Sequence, residues 1–513
     1  MAEIFFAIII LIYFVDIVFL FYYGVHTYAM VHLYFKNRDS AKTNPEQLEV
    51  LTKKMGKWPL VTVQLPMFNE YYVVERLIDS TIAIDYPKNR LEIQVVDDST
   101  DETQELAKSK VAEYKAKGYN IKYVHRINRQ GHKAGALREA MEKAKGEFIA
   151  IFDADFIPAP DFLRKTVPYF YESPKIGMVQ TRWGHINADY SLLTKAQSIG
   201  IDGHFIIEQV ARNGELWMNF NGTAGIWRRE TIYDAGNWES DTLTEDFDLS
   251  YRAELKGWKF KYLSDIVNPA ELPATVPAYK SQQFRWCKGS LQTAVKLTPR
   301  ILQADIPWKV KAEAFTHMTN YSVHPLMILN ILTTLPLLLF QNRFESVSLP
   351  ILFFIAVILS VGTFGPLSMY VVSMRELHPK DWYRRLFWLP FLMMIGTGIA
   401  VNNTRAWIEA LIGKQSAFIR TPKLKIETGK DKVVQRKKYT AVKVDKWVFA
   451  ELGLAAYLGI TMIVAAETGK AFVIPFLAIY AAGFLYVSFF TLFDNLRQHL
   501  ANRRESAHVQ HKV

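Results

Sequence analysis

LEIQVVDDST (91–100) and EFIAIFDADF (147–156) decide the fold. Each is a short apolar run that stops at carboxylates, Asp97-Asp98 in the first and Asp153-Ala154-Asp155 in the second. Such runs, bounded by turn formers, read as strands buried on both faces. LVTVQLP (60–66), IKYVHR (121–126) and IGMVQTRW (176–183) have the same character. Between them, segments 70–83, 101–117 and 133–145 carry apolar residues at three- and four-residue spacing, with Lys and Glu opposite. Strands alternating with crossover helices predict an α/β, Rossmann-like domain with a parallel sheet. Ligands of such sheets sit beyond the carboxyl ends of the strands, where both acidic motifs fall.

The rest of the 513-residue chain changes character. Its mean hydropathy of +0.02 suits a water-soluble domain joined to a membrane part. IFFAIIILIYFVDIVFLFYYGV (4–25) and stretches near 317–341, 349–374, 447–466 and 471–492 are long enough to cross a bilayer. The first lacks a basic leader and a small-residue cleavage site, so it reads as a retained anchor. Glu3 is the only charge ahead of it and Lys36 and Arg38 follow, which places the N-terminus outside. FWLPFLMMIGTGIAV (387–401) is the hard case, short and interrupted by Pro390, Gly396 and Gly398. Were it to cross, the twelve Lys and Arg of 403–446 would face outside, against the positive-inside rule. An interfacial helix there keeps them in the cytoplasm, giving five crossings and a C-terminus inside.

The expected division is therefore an N-terminal membrane helix (1–35), a cytoplasmic domain (50–300) and interface and membrane helices (301–402). A basic linker (403–446), two spans (447–493) and a basic tail (494–513) follow. The net charge of +11 falls beside the spans, so it reads as membrane topology and not as nucleic-acid binding. Cys287 is the only cysteine, which excludes an intrachain disulfide and a cysteine zinc cage.

The motifs supply chemistry in order. Asp153 and Asp155 are hard oxygen ligands that can bridge Mg2+ or Mn2+ to a diphosphate. Alone, Asp-x-Asp is common in solvated turns. A second acidic pair on the same sheet edge, Asp97 and Asp98, suits a base and ribose hydroxyls. Lys133 opens a helix in GHKAGAL and can face a phosphate, with Arg126, Asn128 and Arg129 as weaker neighbours. Asp246, in TLTEDFDL, is placed to take a proton from an acceptor hydroxyl, with Glu245 and Asp248 as alternatives. Gln282, Arg285 and Trp286 of QQFRW supply an amide, a guanidinium for diphosphate oxygens and an indole for a sugar ring. This motif ends the soluble domain just before a span. Asn221 and Gly222 of NFNGTAG, beside Trp217 and Trp227, allow close approach of an acceptor chain. Asp16 lies mid-span, where it either lines a passage or bonds another helix.

The blocks VQLPMFNE, QVVDDSTD, HKAGALREA, AIFDADF, FNGTAGIWR, TEDFDL, LKGWKF and QQFRW resemble, in this order, the processive inverting glycosyltransferases of family 2. This is the cellulose synthase superfamily with its D, D, D, QxxRW pattern, and the similarity is greatest to the plant cellulose-synthase-like A and C proteins that make mannan and glucan backbones. The resemblance extends over nearly the whole chain. It implies a glycosyltransferase A-type domain in which Asp97 and Asp98 contact the nucleoside, and Asp153 and Asp155 the metal and diphosphate. It makes Asp246 the base, and Gln282, Arg285 and Trp286 the donor and acceptor platform. Phe418-Ile419-Arg420-Thr421-Pro422-Lys423 resembles the family's gating loop FxVTxK, with Arg420 where Val is usual. Phe418, Thr421 and Lys423 would then make its contacts.

The expectation is a multi-pass membrane protein with a cytoplasmic catalytic domain, in the plasma or inner membrane of a bacterium or the Golgi of a eukaryote. It would transfer hexose from UDP-glucose or GDP-mannose, with inversion, to a growing β-1,4-glycan and feed the product outward. One rival is an enzyme that adds one or a few sugars to a lipid acceptor. Another is a non-catalytic export channel, against which Asp155, Asp246 and Arg285 argue.

Overall fold

The computed structural model describes residues 2–340, 349–416, 419–427, 431, 433 and 445–510, with the side chains of 2–3, 349–360, 363 and 498–510 outside that description. Seven strands form one sheet: β1 (Val61–Met67), β2 (Leu91–Asp97), β3 (Ile121–His125), β4 (Phe148–Ile151), β5 (Ile176–His185), β6 (Gly225–Arg228) and β7 (Lys259–Ala270). Their order is β3-β2-β1-β4-β6-β5-β7. β1, β2, β3 and β4 run parallel, as the alternation predicts. The second half corrects the parallel sheet to a mixed one. β6 runs antiparallel to both β4 and β5, and β5 then pairs parallel with β7. β6 is only four residues long and follows the NFNGTAG turn, too little for a periodicity reading to find.

β1 and β2 are buried at all seven positions each, because helices cover both faces. Two polar rungs run through this interior. Thr62 donates to Glu92 at 2.7 Å and the Gln64 amide to Gln94 at 3.0 Å, across the β1–β2 register. Thr62 and Glu92 are paired in this way, whereas Gln64 Oε1 and Gln94 Nε2 stay buried without a partner among the described residues. The register also sets Met67, Asp97 and His125 side by side, so β1, β2 and β3 end at one edge.

Among the described residues four helices are long and apolar enough to cross a membrane: Ile4–Asn37, Trp308–Leu339, Val448–Glu467 and Ala471–Arg497. The expected span at 349–374 falls in a 29-residue helix, Leu349–Leu377. The hard case at 387–401 is a broken helix. Leu389–Gly398 meets Ala400–Leu411 at a bend, the pair Trp382–Gly398 and Ala400–Leu411 being inclined by 42°. Asp16 is fully buried and accepts from the Asn330 amide at 3.1 Å, which is the helix-to-helix bond of the two readings. At mid-bilayer an isolated carboxylate costs about 2.5–3.5 kcal/mol, so a donor across the interface matters.

Candidate active site

The edge where β1, β2 and β3 end is tightly cross-linked. Asp97 accepts from the Ser99 amide at 2.8 Å and from the Tyr123 hydroxyl at 2.6 Å. Arg126 grips Asp98 with two bonds, 2.8 Å from Nε and 2.5 Å from Nη2, and both side chains are buried. The same guanidinium donates to the carbonyls of Gln130 and His132 at 3.1 and 3.0 Å, which fixes the loop leading into the helix His132–Lys143. Arg126, a weaker candidate by sequence, is thus the organiser of this loop. Asn128 shares that loop, and the Arg129 guanidinium stacks on Phe68 at 3.3 Å.

Lys133, in the first turn of that helix, brings three segments together. Its Nζ donates to Asp153 Oδ1 at 2.6 Å and to the Gly222 carbonyl at 2.9 Å, and lies 4.0 Å from Glu245. Burial opposes its charge, but Asp153 and Glu245 outweigh burial and hold Lys133 above the usual lysine range. Glu245 and Asp246 open the helix Glu245–Leu255. Burial first, then the Glu245 carboxylate, pushes Asp246 up to about 7. Burial raises Glu245 as well, with Lys133 opposing. Gly222 has φ +81°, and a Cβ built on it would lie 2.8 Å from Asp246 Oδ2, so only glycine lets the turn lie against that carboxylate. The alternative Asp248 is bound elsewhere, by Arg252 at 2.8 Å and Lys296 at 2.9 Å.

Gln282, Arg285 and Trp286 sit on one helix, Val276–Gln303. That helix packs directly on the acidic turn, since a Cβ on Gly289 would meet the Thr244 amide nitrogen at 2.8 Å. Burial lowers the Arg285 guanidinium, with Glu245, Asp153 and Asp246 opposing. The Gln282 side-chain oxygen is buried with no hydrogen-bond partner among the described residues. Trp286 lies 6.5 Å from Trp183, with rings inclined by 53°.

The linker crosses this site. Lys423 donates to Asp155 at 2.5 Å, and Arg285 donates to the Thr421 hydroxyl at 3.1 Å. Glu271 accepts from the amides of Leu424 and Lys425, both at 2.9 Å, and Arg420 pairs with Glu70 at 2.7 Å. Phe418 lies outside the described residues. Burial, opposed by Arg420 and Lys423, pushes Glu70 up to about 7. Sequence reasoning missed Glu70, Glu271 and Trp183. Glu70 and Glu271 sit just past strand ends, the same signal that exposed Asp97, and Trp183 lies within β5.

Asp153 and Asp155 each face a lysine, so the chain already places positive charge at both carboxylates. Two carboxylates with this demand fit a hard divalent cation. A third acidic cluster, Glu239, Asp241 and Asp248, lies close enough to share an ion, but Lys296 bonds all three at 2.6–2.9 Å.

Residues 59–289 match the family described as "Glycosyltransferase like family 2". Glucomannan 4-beta-mannosyltransferase 9 of Arabidopsis thaliana is 36% identical over 420 residues, 78% of this chain and 74% of that one. Glucomannan 4-beta-mannosyltransferase 1 of Cyamopsis tetragonoloba is 42% identical over 266 residues, so this chain spans about half that relative, 51% of each. Among solved structures, a mannosyltransferase from Pyrobaculum calidifontis in complex with GDP-Man and Mn2+ matches with 21% identity and a TM-score of 0.45, covering 77% of this chain and 100% of that one. The chain belongs to the family 2 glycosyltransferases, and within them to the cellulose-synthase-like hexosyltransferases.

Proposed function

We propose that this protein is a processive inverting synthase that transfers mannose from GDP-mannose to the non-reducing end of a β-1,4-glycan and passes the product across the membrane. UDP-glucose is the alternative donor. The observation that carries the reading is Asp246, a half-buried carboxylate raised to about 7, set against the Gly222 turn and beside Lys133 and Arg285. A base with that affinity for protons is suited to accept one near neutral pH as the acceptor hydroxyl attacks the anomeric carbon. Lys133 and Arg285 stand where negative charge develops on the leaving diphosphate. Asp153 and Asp155 would hold Mg2+ or Mn2+, which supplies further neutralisation of that charge. Trp286 offers the acceptor sugar an indole face. The relatives' names favour mannose, and the apolar helices favour a five-span protein with the domain and linker in the cytoplasm.

The test uses the full chain in lipid nanodiscs, given labelled GDP-mannose or UDP-glucose, with products digested by linkage-specific hydrolases. Polymer that a β-1,4-mannanase degrades is expected from GDP-mannose. Asp246→Asn should lower transfer by about 10²–10⁴-fold while GDP still binds. Short, organic-soluble glycolipid as the sole product would replace this reading with the lipid-acceptor one, and no turnover of either donor would leave the export channel.

A further inference from the structure

Behind the acceptor turn lies a chain of buried and half-buried ionisable side chains that the transfer chemistry does not use. It begins at a single π-helical turn, His204–Glu208, a deformation that tends to mark functional positions inside helices. His204 Nδ1 lies 2.8 Å from Glu208 Oε2, and Nε2 lies 2.9 Å from Asn221 Oδ1. The Asn219 amide also donates to that Asn221 oxygen, at 3.3 Å. Asn221 is therefore held with its oxygen turned inward. Its own backbone amide is fixed by Gln180 at 3.0 Å, and its side-chain nitrogen makes one long contact, 3.5 Å to the Asn219 carbonyl. Among the described residues an N–H of Asn221 is left without an acceptor, one residue from the glycine that lies against Asp246.

The chain continues inward. Arg212, 1% exposed, lies 3.6 Å from Glu208 and donates to Glu313 at 2.9 Å, and Glu313 in turn meets His26 Nε2 at 2.5 Å. Burial raises the cost of ionising Glu208, yet His204 and Arg212 outweigh it and hold the carboxyl far below the usual range. His26 belongs to the first membrane helix, and Glu313 to the helix that leads into the second candidate span. Five buried or half-buried groups thus run without a gap from the acceptor turn into the membrane part.

We propose that His204 is a positioning residue for the acceptor: it sets which edge of the Asn221 amide faces the incoming sugar, and the Glu208–Arg212–Glu313–His26 chain anchors it to the first membrane helix. The ligand class is the hydroxyl-bearing terminal sugar of a β-linked glycan, which a neutral amide N–H can recognise by donating to a hydroxyl oxygen. The proposal rests on the reading of Asn221–Gly222 as the acceptor turn, and the experiment separates the two.

Full-length protein in nanodiscs is assayed with GDP-mannose and a β-1,4-mannohexaose acceptor, measuring both KM values and the ratio of transfer to donor hydrolysis. His204→Ala should raise the acceptor KM about fivefold or more, the loss of one hydrogen bond, and lower that ratio, with a smaller change in donor KM. His204→Gln, which keeps an N–H toward Asn221, should restore at least half of the loss. Glu313→Gln should move the acceptor KM the same way by less. Parallel changes in both KM values, or no rescue by Gln, would reduce His204 to a fold-keeping role and overturn the proposal. So would an acceptor KM that Asn221→Ala raises and His204→Ala leaves alone. If Asn221→Ala does not move it either, the acceptor turn itself was misassigned.

Discussion

Two pairs of aspartates close two strands of one sheet, and their surroundings differ in kind. Asp97 and Asp98 are bonded by groups of the sheet and its adjoining loops, Tyr123, Ser99 and a two-pronged Arg126. Asp153 and Asp155 are met by long lysine side chains from a helix and from the linker. The first pair is locked into the sheet edge. The second is met by cations on flexible stems, Lys423 with a bond to Asp155 and Lys133 shared between Asp153 and the Gly222 carbonyl, which a substrate or metal can displace. Chemically similar motifs are therefore held in different ways, one locked into the sheet edge and the other by contacts that can open.

Breaking each pair should show this. Asp98→Ala leaves Arg126 buried without its carboxylate and should cost about 3–5 kcal/mol of stability, read as a large drop in thermal unfolding temperature. Asp155→Asn keeps the side chain's size and an oxygen that can still accept from Lys423, so unfolding should shift less than in Asp98→Ala, while turnover falls about a hundredfold or more. Equal losses of stability in the two variants would erase the distinction.

A finer test is pH. With Asp246 raised to about 7, the base form is lost as pH falls through neutrality, so kcat/KM should decline on the acid side with an inflection near 7. Glu245 is one cause of that rise. Glu245→Gln should move the acid limb to lower pH, and a limb that stays put would separate the two carboxylates. The smallest effect belongs to the linker. Thr421→Val removes one hydroxyl that accepts from Arg285, worth about 1 kcal/mol, so the donor KM should rise roughly fivefold with folding unchanged.

The parallel half of the sheet was legible because continuous apolar runs such as LEIQVV have no alternative to burial on both faces, and their terminal acids stand out. The mixed half was legible only at β5. β6 has four residues and no periodicity to read, and β7 pairs with β5 through an irregular register. Glu70 and Glu271 escaped because single acids at strand ends are common, whereas pairs are not. Their roles come from partners about 350 and 150 residues away, Arg420 and the Leu424–Lys425 amides, a closeness that no local pattern encodes. His204 and Glu208 carried no sequence signal at all, since an i, i+4 pair of this kind is ordinary on any helix surface.

The first membrane helix is joined to the segment 313–330 at three depths: His26 to Glu313, Tyr22 and Tyr23 to Thr316 and Thr319, and Asp16 to Asn330. A helix in hydrocarbon can spin about its axis cheaply when its surface is uniformly greasy. This one is keyed. Advancing it by a single residue, about 100° of turn, would unlatch all three contacts together. Any reorientation of this helix must therefore carry its neighbour along, so the two behave as one stave.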